Sequence, residues 1–251
     1  RELRNNYDVV VCSEAFQCST VIAVLAKLFS FKRKMKIIVW QEMARHQKMF
    51  NSVPSVIFHR CILKFFLDPF ISRYIPRGEL GADFLKAQGI GVKKISDPVP
   101  HGYDHQVFFN DLGVKKERYL FSPSRLVFSK GIDILLKAFA VVCREVDDLE
   151  LIIQGEGPLH EEYVALSREL NIYDRVRFDS TRLNHDQMRG RYQKALLTVL
   201  SSREDNVIFS DMESIACGTP VVLSTGIDSH VHYRDGKGGA YFTNGDHRQL
   251  A

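Results

Sequence analysis

The sequence predicts an α/β fold in which parallel sheets are flanked by helices and divided between two domains. Three observations carry this. Short β-branched or apolar runs, at residues 7–12, 36–40, 149–154 and 195–200 among others, have the length of buried strands. Between them lie segments with apolar residues at helical spacing, and strand–helix–strand units of this kind build parallel sheets. A polar stretch at residues 110–118, containing Gly113, interrupts the alternation and marks a boundary, giving domains at 1–112 and 113–251.

The composition is that of a globular chain. Of 251 residues, 45% are hydrophobic and 25% charged, enough for the core of one or two domains. The chain opens on Arg1 rather than Met and stops at Ala251 within what reads as a helix start. It is expected to be a piece of a longer protein, with the N-terminal domain incomplete. Five cysteines without a Cys-x-x-Cys pair read as reduced thiols of a cytoplasmic protein. A net charge of +4 is too small and dispersed to argue for nucleic acid. No uncharged apolar run reaches the length of a bilayer span.

In the first domain, residues 7–12 fit a buried strand. A helix follows at 19–29, with Val21, Ile22, Val24, Leu25 and Leu28 mostly on one side. The basic turn of Lys32, Arg33, Lys34 and Lys36 leads into a strand at 36–40. Parallel sheets bind ligands beyond the carboxyl ends of their strands, which places Gln41, Glu42 and His46 near a cleft. A polar cap on an ordinary loop is an equal reading. The helix at 55–67 is apolar on most sides, with a narrow stripe of His59, Arg60 and Lys64. Phe58, Phe65, Phe66 and, just beyond, Phe70 add aromatic bulk. Packing between the sheet and its neighbours is the first reading of this helix. Embedding in a bilayer interface, with the basic residues near lipid phosphates, is the second. A strand at 71–75, a helix at 78–88 stopped by Gly89, and a turn at 100–104 complete the domain.

The second domain opens with a strand at 119–124, a loop carrying Arg125, and then Ser129-Lys130-Gly131. A helix starts near Ile132, with Ile134, Leu135, Ala138, Phe139 and Val142 as its buried face. Two cations between a strand end and a helix start suit a phosphate. Two solvated basic residues in a turn fit equally well. A strand at 149–154 then runs into Gly155-Glu156-Gly157-Pro158 and a helix with Leu159, Tyr163, Leu166 and Leu170 on one face. This is not a dinucleotide fingerprint, because the third glycine is missing and proline follows at once. A strand at 175–178, a loop at 180–184 and a helix at 186–194 come next.

Residues 201–222 read as a loop, a helix, a tight turn and a strand, and they carry Glu204, Asp205 and Glu213. Asp205 is expected at the loop-to-helix junction, with Glu213 two turns on, about 12 Å away. That separation suits an elongated hydroxyl-bearing ligand better than one metal ion, since carboxylates accept several charge-assisted hydrogen bonds. A solvent-facing cap and an exposed helix glutamate are the plainer reading. His230 and His232 lack further partners for a metal and read as surface or packing histidines.

These motifs together resemble family 4 retaining glycosyltransferases of the GT-B fold. In that family two acidic residues eight apart precede a small-residue run and Cys-Gly-Thr-Pro-Val-Val. Here Asp205, Glu213 and residues 216–222 take those places, with Asp where Glu is usual and Glu204 beside it. Ser124-Arg125-Leu126 and Ser129-Lys130-Gly131 stand where the family has Gly-Arg-Leu and Glu-Lys-Gly. The turn from Pro100 to Asp104 stands for its Pro-Asn-Gly-Val-Asp. The resemblance implies two Rossmann-like domains with a nucleotide-sugar cleft between them. It implies that Arg125 and Lys130 hold the donor diphosphate, that Asp205 or Glu204 orients the sugar, and that Glu213 holds the ribose. Gly155, Arg182, Leu183, Asn206 and Phe209 join the implied donor-binding set, the loop at 180–184 lying beside the nucleobase. Gln41, Glu42 and His46 become acceptor-side candidates. The implied reaction needs no cofactor and no metal. It moves a sugar to an acceptor hydroxyl with retention of configuration, in polysaccharide or glycoconjugate synthesis. The implied acceptor is a sugar or a lipid-linked sugar, and the implied location is the cytoplasm, with or without peripheral contact at the inner face of the membrane. A nucleotide-sugar epimerase of the same fold and a non-catalytic sugar-nucleotide binding module are the alternatives.

Overall fold

A computed structural model describes residues 7–15, 17–29, 35–42, 57, 60–99, 102–205, 208–233 and 236–251. The chain forms two compact units, Arg1–His101 and Gly102–Ala251, each built on its own parallel sheet.

In the first unit β1 (Val9–Ser13), β2 (Lys36–Gln41) and β3 (Ile71–Pro76) lie side by side in that order. Both pairings are parallel, as the strand–helix–strand pattern requires. Ile37, Val39, Leu63, Ile71, Tyr74 and Leu85 form the fully buried centre. The helix α1 (Cys18–Phe29) buries Thr20, Ala23 and Val24. Val21, Ile22, Leu25 and Leu28 are exposed, so the apolar face read from spacing is not the buried one. Small side chains form the buried stripe, and the bulkier ones, Val24 apart, are turned away from it. The helix α2 (Glu79–Ala87) ends at Gln88, and Gly89 follows with φ of +84°, the left-handed stop expected there. Residues 62–67, expected as regular helix, form a wide π-helical turn (Ile62–Leu67) followed by a 3-10 turn (Asp68–Phe70). Phe58 and the first residues of the expected helix lie outside the described residues.

In the second unit the strands are β4 (Tyr119–Pro123), β5 (Glu150–Gln154), β6 (Val176–Asp179), β7 (Leu197–Leu200), β8 (Val221–Ser224) and β9 (Gly239–Phe242). Their spatial order is 6-5-4-7-8-9 and every pairing is parallel. The helices are α3 (Ile132–Val142), α4 (His160–Glu169), α5 (His185–Lys194), α6 (Phe209–Ala216) and α7 (His247–Leu250). The chain begins in the middle of the sheet, winds outward to β6, and returns to lay β7 on the other side of β4. The winding therefore reverses between β4 and β7, the kind of position at which open parallel sheets bind ligands. Leu126, Ile132, Leu136, Leu151, Ile153 and Tyr163 fill one core, and Phe121, Ile152, Tyr192, Ala195 and Cys217 another.

The second unit starts earlier than the polar stretch suggested. Phe108 packs with Tyr119, Phe121 and Tyr192, and Arg189 donates to the Val107 carbonyl at 2.8 Å. Residues 102–112 are held by these contacts, so the polar run after them is a surface segment rather than a linker. All five cysteines carry free thiols. Among the described residues no helix is long and apolar enough to cross a membrane.

Candidate functional site

Two connections meet at the reversal point of the second sheet. The first runs from β4 to α3 and carries Arg125 and Lys130; the second leaves β7 and carries residues 201–205. Lys130 forms an ion pair with Asp205, and both side chains are largely buried, at 18% and 22% exposure. Ser202 Oγ donates to the same carboxylate oxygen, Oδ2, at 3.2 Å. Ser201 Oγ donates to the Lys130 carbonyl at 3.0 Å, and the Arg203 amide to the Ser129 carbonyl at 2.8 Å. The approach is tight enough to require glycine at position 131. Gly131 has φ of +63°, and a Cβ there would lie 2.2 Å from the Ser201 carbonyl oxygen. Gly131→Ala is expected to destabilise the second unit by more than ~1 kcal/mol. A urea melt with an unchanged midpoint would contradict this.

Asp205 is not at the helix junction. Its amide donates to the Gly226 carbonyl at 3.0 Å and its carbonyl accepts from the Asp228 amide at 3.2 Å, which pin it to the loop after β8. Helix α6 begins four residues later, so the separation of Asp205 and Glu213 is not a purely helical rise. Asn206 lies outside the described residues. Glu204 and Phe209 are exposed.

Arg203 clamps the two connections together, and sequence reasoning missed it. Its guanidinium binds Asp133 with two parallel bonds of 2.8 and 2.7 Å, donates to the Phe128 carbonyl at 2.8 Å, and stacks 4.1 Å above the Phe128 ring. Burial opposes ionisation of Asp133, but the hydrogen bond and charge of Arg203, with Lys137 and a backbone amide, together outweigh it and hold the carboxyl below its usual range. A lone arginine in a polar loop carries no signal of such a fork; only the fold brings Asp133 to it.

On the other side of β4, Arg125 lines an open pocket of about 610 Å³ with Glu156, His160 and Ser180. Gly155 has φ of +150°, and a Cβ there would lie 2.3 Å from the Ser124 carbonyl oxygen, so its role is the close approach of two loops. Gln154 donates to the carbonyls of Asp179 and Thr181 at 2.9 and 2.8 Å and so holds the start of the loop at 180–184. In that loop Arg182 is exposed and Leu183 half-buried. Asn184 caps α5 through a reciprocal pair with Gln187.

Glu213 lies on the second turn of α6 and is half-buried. It accepts a 2.9 Å bond from the hydroxyl of Tyr192, a fully buried ring packed edge-on to Phe121. Burial pushes its carboxyl up, an effect offset in part by Tyr192 and His185 and reinforced by Asp211. Its charged form is therefore lost at a higher pH than for a free glutamate. Affinity for a nucleotide sugar, whose phosphate diesters stay ionised, is expected to fall as pH drops through that range. Glu213→Gln is expected to bind weakly with a flat profile, and an unaltered profile in that variant would remove Glu213 from the site.

In the first unit Gln41 is buried at the end of β2 and is fully occupied. It accepts from the Ala15 amide at 3.2 Å and donates to the Glu14 carboxylate. These bonds tie the loops after β1 and β2 together. Glu14, unforeseen, has φ of +59° and accepts from the Glu42 amide at 2.9 Å. The Glu42 side chain is 44% exposed and pairs with Arg77 at 3.2 Å. His46 lies outside the described residues. Among the described residues no three His, Cys, Asp or Glu side chains converge as a metal site would need. His230 instead bonds the Ile227 carbonyl at 2.6 Å.

Comparison with known proteins agrees with this geometry. The profile described as "Glycosyl transferases group 1" matches residues 104–251. The alpha-monoglucosyldiacylglycerol synthase of Streptococcus pneumoniae is 29% identical over 53% of this chain and 30% of its own length. The poly(glycerol-phosphate) alpha-glucosyltransferase of Bacillus subtilis is 30% identical over 49% of this chain and 18% of its own length. The chain thus spans less than a third of these relatives. Among solved structures, Anabaena HepE in complex with UDP superposes with a TM-score of 0.79 at 19% identity, covering 97% of this chain and 67% of that one. The apo lipopolysaccharide galactosyltransferase WaaB does so with a TM-score of 0.75 at 20% identity, covering 99% and 65%. The likeness to both extends over both units and establishes the GT-B fold. With more than half of its length matched by the family profile, the chain belongs to the group 1 glycosyl transferases.

Proposed function

We propose that this chain carries the donor site of a retaining, metal-independent glycosyltransferase acting on a nucleoside diphosphate sugar. The observation that supports this most is the convergence of Lys130 and Asp205 at the reversal point, with Arg125 on the same connection. In the reaction the bond between the anomeric carbon and the outer phosphate oxygen breaks, and its electron pair stays on phosphate. The acceptor oxygen bonds the anomeric carbon on the same face, and its proton passes to the departing diphosphate. Such a step needs charge stabilised on the leaving oxygen, which preorganised cations supply. Arg125 and Lys130 take that role, Asp205 orients the sugar, and Glu213 accepts from the ribose. Glu42 is the acceptor-side residue that remains exposed enough to serve. The names of the alpha-monoglucosyldiacylglycerol synthase and the poly(glycerol-phosphate) alpha-glucosyltransferase support a sugar or lipid-linked acceptor, and the proposed place of the reaction is the cytoplasm or the inner face of its membrane.

A thermal-shift screen against nucleoside diphosphates and nucleotide sugars tests the donor site. Failure of every nucleotide to stabilise the second unit would sink it. Turnover of the natural protein with and without acceptor separates the alternatives. An epimerase consumes donor alone, and a binding module consumes none.

A further inference from the structure

Two tyrosines of the second unit bury their hydroxyls in the same core and spend them differently. Tyr119 donates to the Arg191 carbonyl of α5 at 2.7 Å, the ordinary way to satisfy a buried phenol. Tyr192, fully buried on α5, donates instead to Glu213 Oε2 on α6 at 2.9 Å. A carboxylate is the costlier partner, because it has to be held partly out of water to meet the phenol.

The phenol has a fixed position. Phe121 and Phe108 pack edge-on against its ring, with centroids 5.3 and 6.1 Å away. The Tyr192 carbonyl accepts from Thr219 Oγ, in the Gly218-Thr219-Pro220 turn that follows α6. Ser214 Oγ, one residue after Glu213, donates to the Thr219 carbonyl at 3.0 Å. Ring, turn and α6 thus form one closed frame. Glu213, by contrast, is a long side chain that loses rotamer freedom only when something ties it down. The bond from Tyr192 falls on Oε2, and among the described residues Oε1 carries no bond. One oxygen is an anchor and the other is an acceptor with a set direction. Few groups surround this carboxyl. Tyr192 and His185 face it from α5; Asp211 lies on its own helix and Cys217 at that helix's end. Burial pushes the carboxyl up, Tyr192 and His185 draw it down, and Asp211 pushes it up again.

We propose that Tyr192 is a positioning residue of the nucleotide site, fixing Glu213 through Oε2 so that Oε1 meets the ribose hydroxyls. This rests on Glu213 being the ribose ligand of the proposed donor site. Tyr192 touches no substrate. It confines the carboxylate to one arrangement before the nucleotide arrives, so less freedom is lost on binding.

The test is Tyr192→Phe, which keeps the ring and its packing and removes only the hydroxyl. Tyr119→Phe is the control, since it removes the other buried phenol hydroxyl bonded to α5. Calorimetry on the natural protein compares UDP, GDP and ADP with their 2′,3′-dideoxy counterparts and follows the nucleotide that binds most tightly. The wild type is expected to prefer the ribonucleotide by about tenfold or more. Tyr192→Phe should weaken the ribonucleotide about fivefold and leave the dideoxy form nearly unchanged, so the preference shrinks. Tyr119→Phe should lower stability and leave the preference intact. In the free protein, carboxyl NMR of Glu213 should show titration at higher pH in Tyr192→Phe than in the wild type, with His185 and Asp211 present in both. Full preference in Tyr192→Phe alongside a lost preference in Glu213→Gln makes Tyr192 a core residue only and overturns the proposal. So does an unmoved Glu213 titration. Full preference in Glu213→Gln, or no binding of any of the three nucleotides, removes the ribose reading itself and the proposal with it.

Discussion

Lys130→Ala should remove more than nine-tenths of the affinity for a nucleoside diphosphate. A charge-assisted contact of this kind is worth about 1.5–3 kcal/mol, which exceeds tenfold at the lower end. The Lys130 ammonium is largely shielded from solvent and already fixed by Asp205, so little ordering is needed when a phosphate arrives. Arg125 is exposed on the rim of its pocket. Arg125→Ala should therefore cost less, and that loss should shrink as salt rises, whereas the Lys130 contribution should persist. Calorimetry with the nucleoside diphosphate alone reads both. Equal affinity in the wild type and both variants would show that the β4–α3 connection does not hold phosphate, and the donor-site assignment would fall with it. Arg203→Leu is a graded companion. It breaks the fork to Asp133 without touching the phosphate site, so weakened binding there would show that the clamp sets the position of Lys130.

The fold was legible because its signal is redundant. Most strands of the second unit are β-branched or apolar runs, and α3 and α4 have apolar faces, so an error at one boundary leaves the order intact. The placement of the candidate residues was legible in part, for a physical reason. Arg125, Lys130 and Asp205 stand on loops at strand ends, where a parallel sheet places its ligands whatever the loop details. What could not be read were contacts between elements distant in sequence. Arg203 and Asp133 are seventy residues apart, and neither is unusual in its own surroundings. Tyr192 carries no signal within the expected helix at 186–194, yet its hydroxyl meets Glu213. Gln41 shows the same limit from the other side. A polar residue at a strand's carboxyl end looks available, but Glu14 and the Ala15 amide occupy it. Spacing puts Val21, Ile22, Leu25 and Leu28 on one side of α1, as found, but period alone does not say whether that side or the one with the smaller residues meets the sheet.

The acidic residues should separate by what they touch. Both contacts to the Asp205 side chain, from Lys130 and from Ser202, fall on Oδ2. Among the described residues Oδ1 carries no bond, so it is the atom positioned to accept from a sugar hydroxyl while Oδ2 keeps the lysine in place. Asp205→Asn retains shape and one acceptor but loses the charge. A diphosphate without a sugar then competes with no carboxylate for Lys130, and its affinity should hold or rise a few-fold. Turnover should fall about a hundredfold, because a sugar misplaced at the anomeric carbon forfeits orientation that matters at the transition state. Glu204 is exposed, and Glu204→Gln should change turnover less than threefold, an ordinary surface effect. Steady-state rates on the natural protein, paired with calorimetry on the free diphosphate, read all three quantities. A silent Asp205→Asn with an inactive Glu204→Gln would move the sugar ligand by one residue and reduce Asp205 to a support for Lys130. Two silent variants in an active enzyme would make this loop purely structural and end the proposed mechanism.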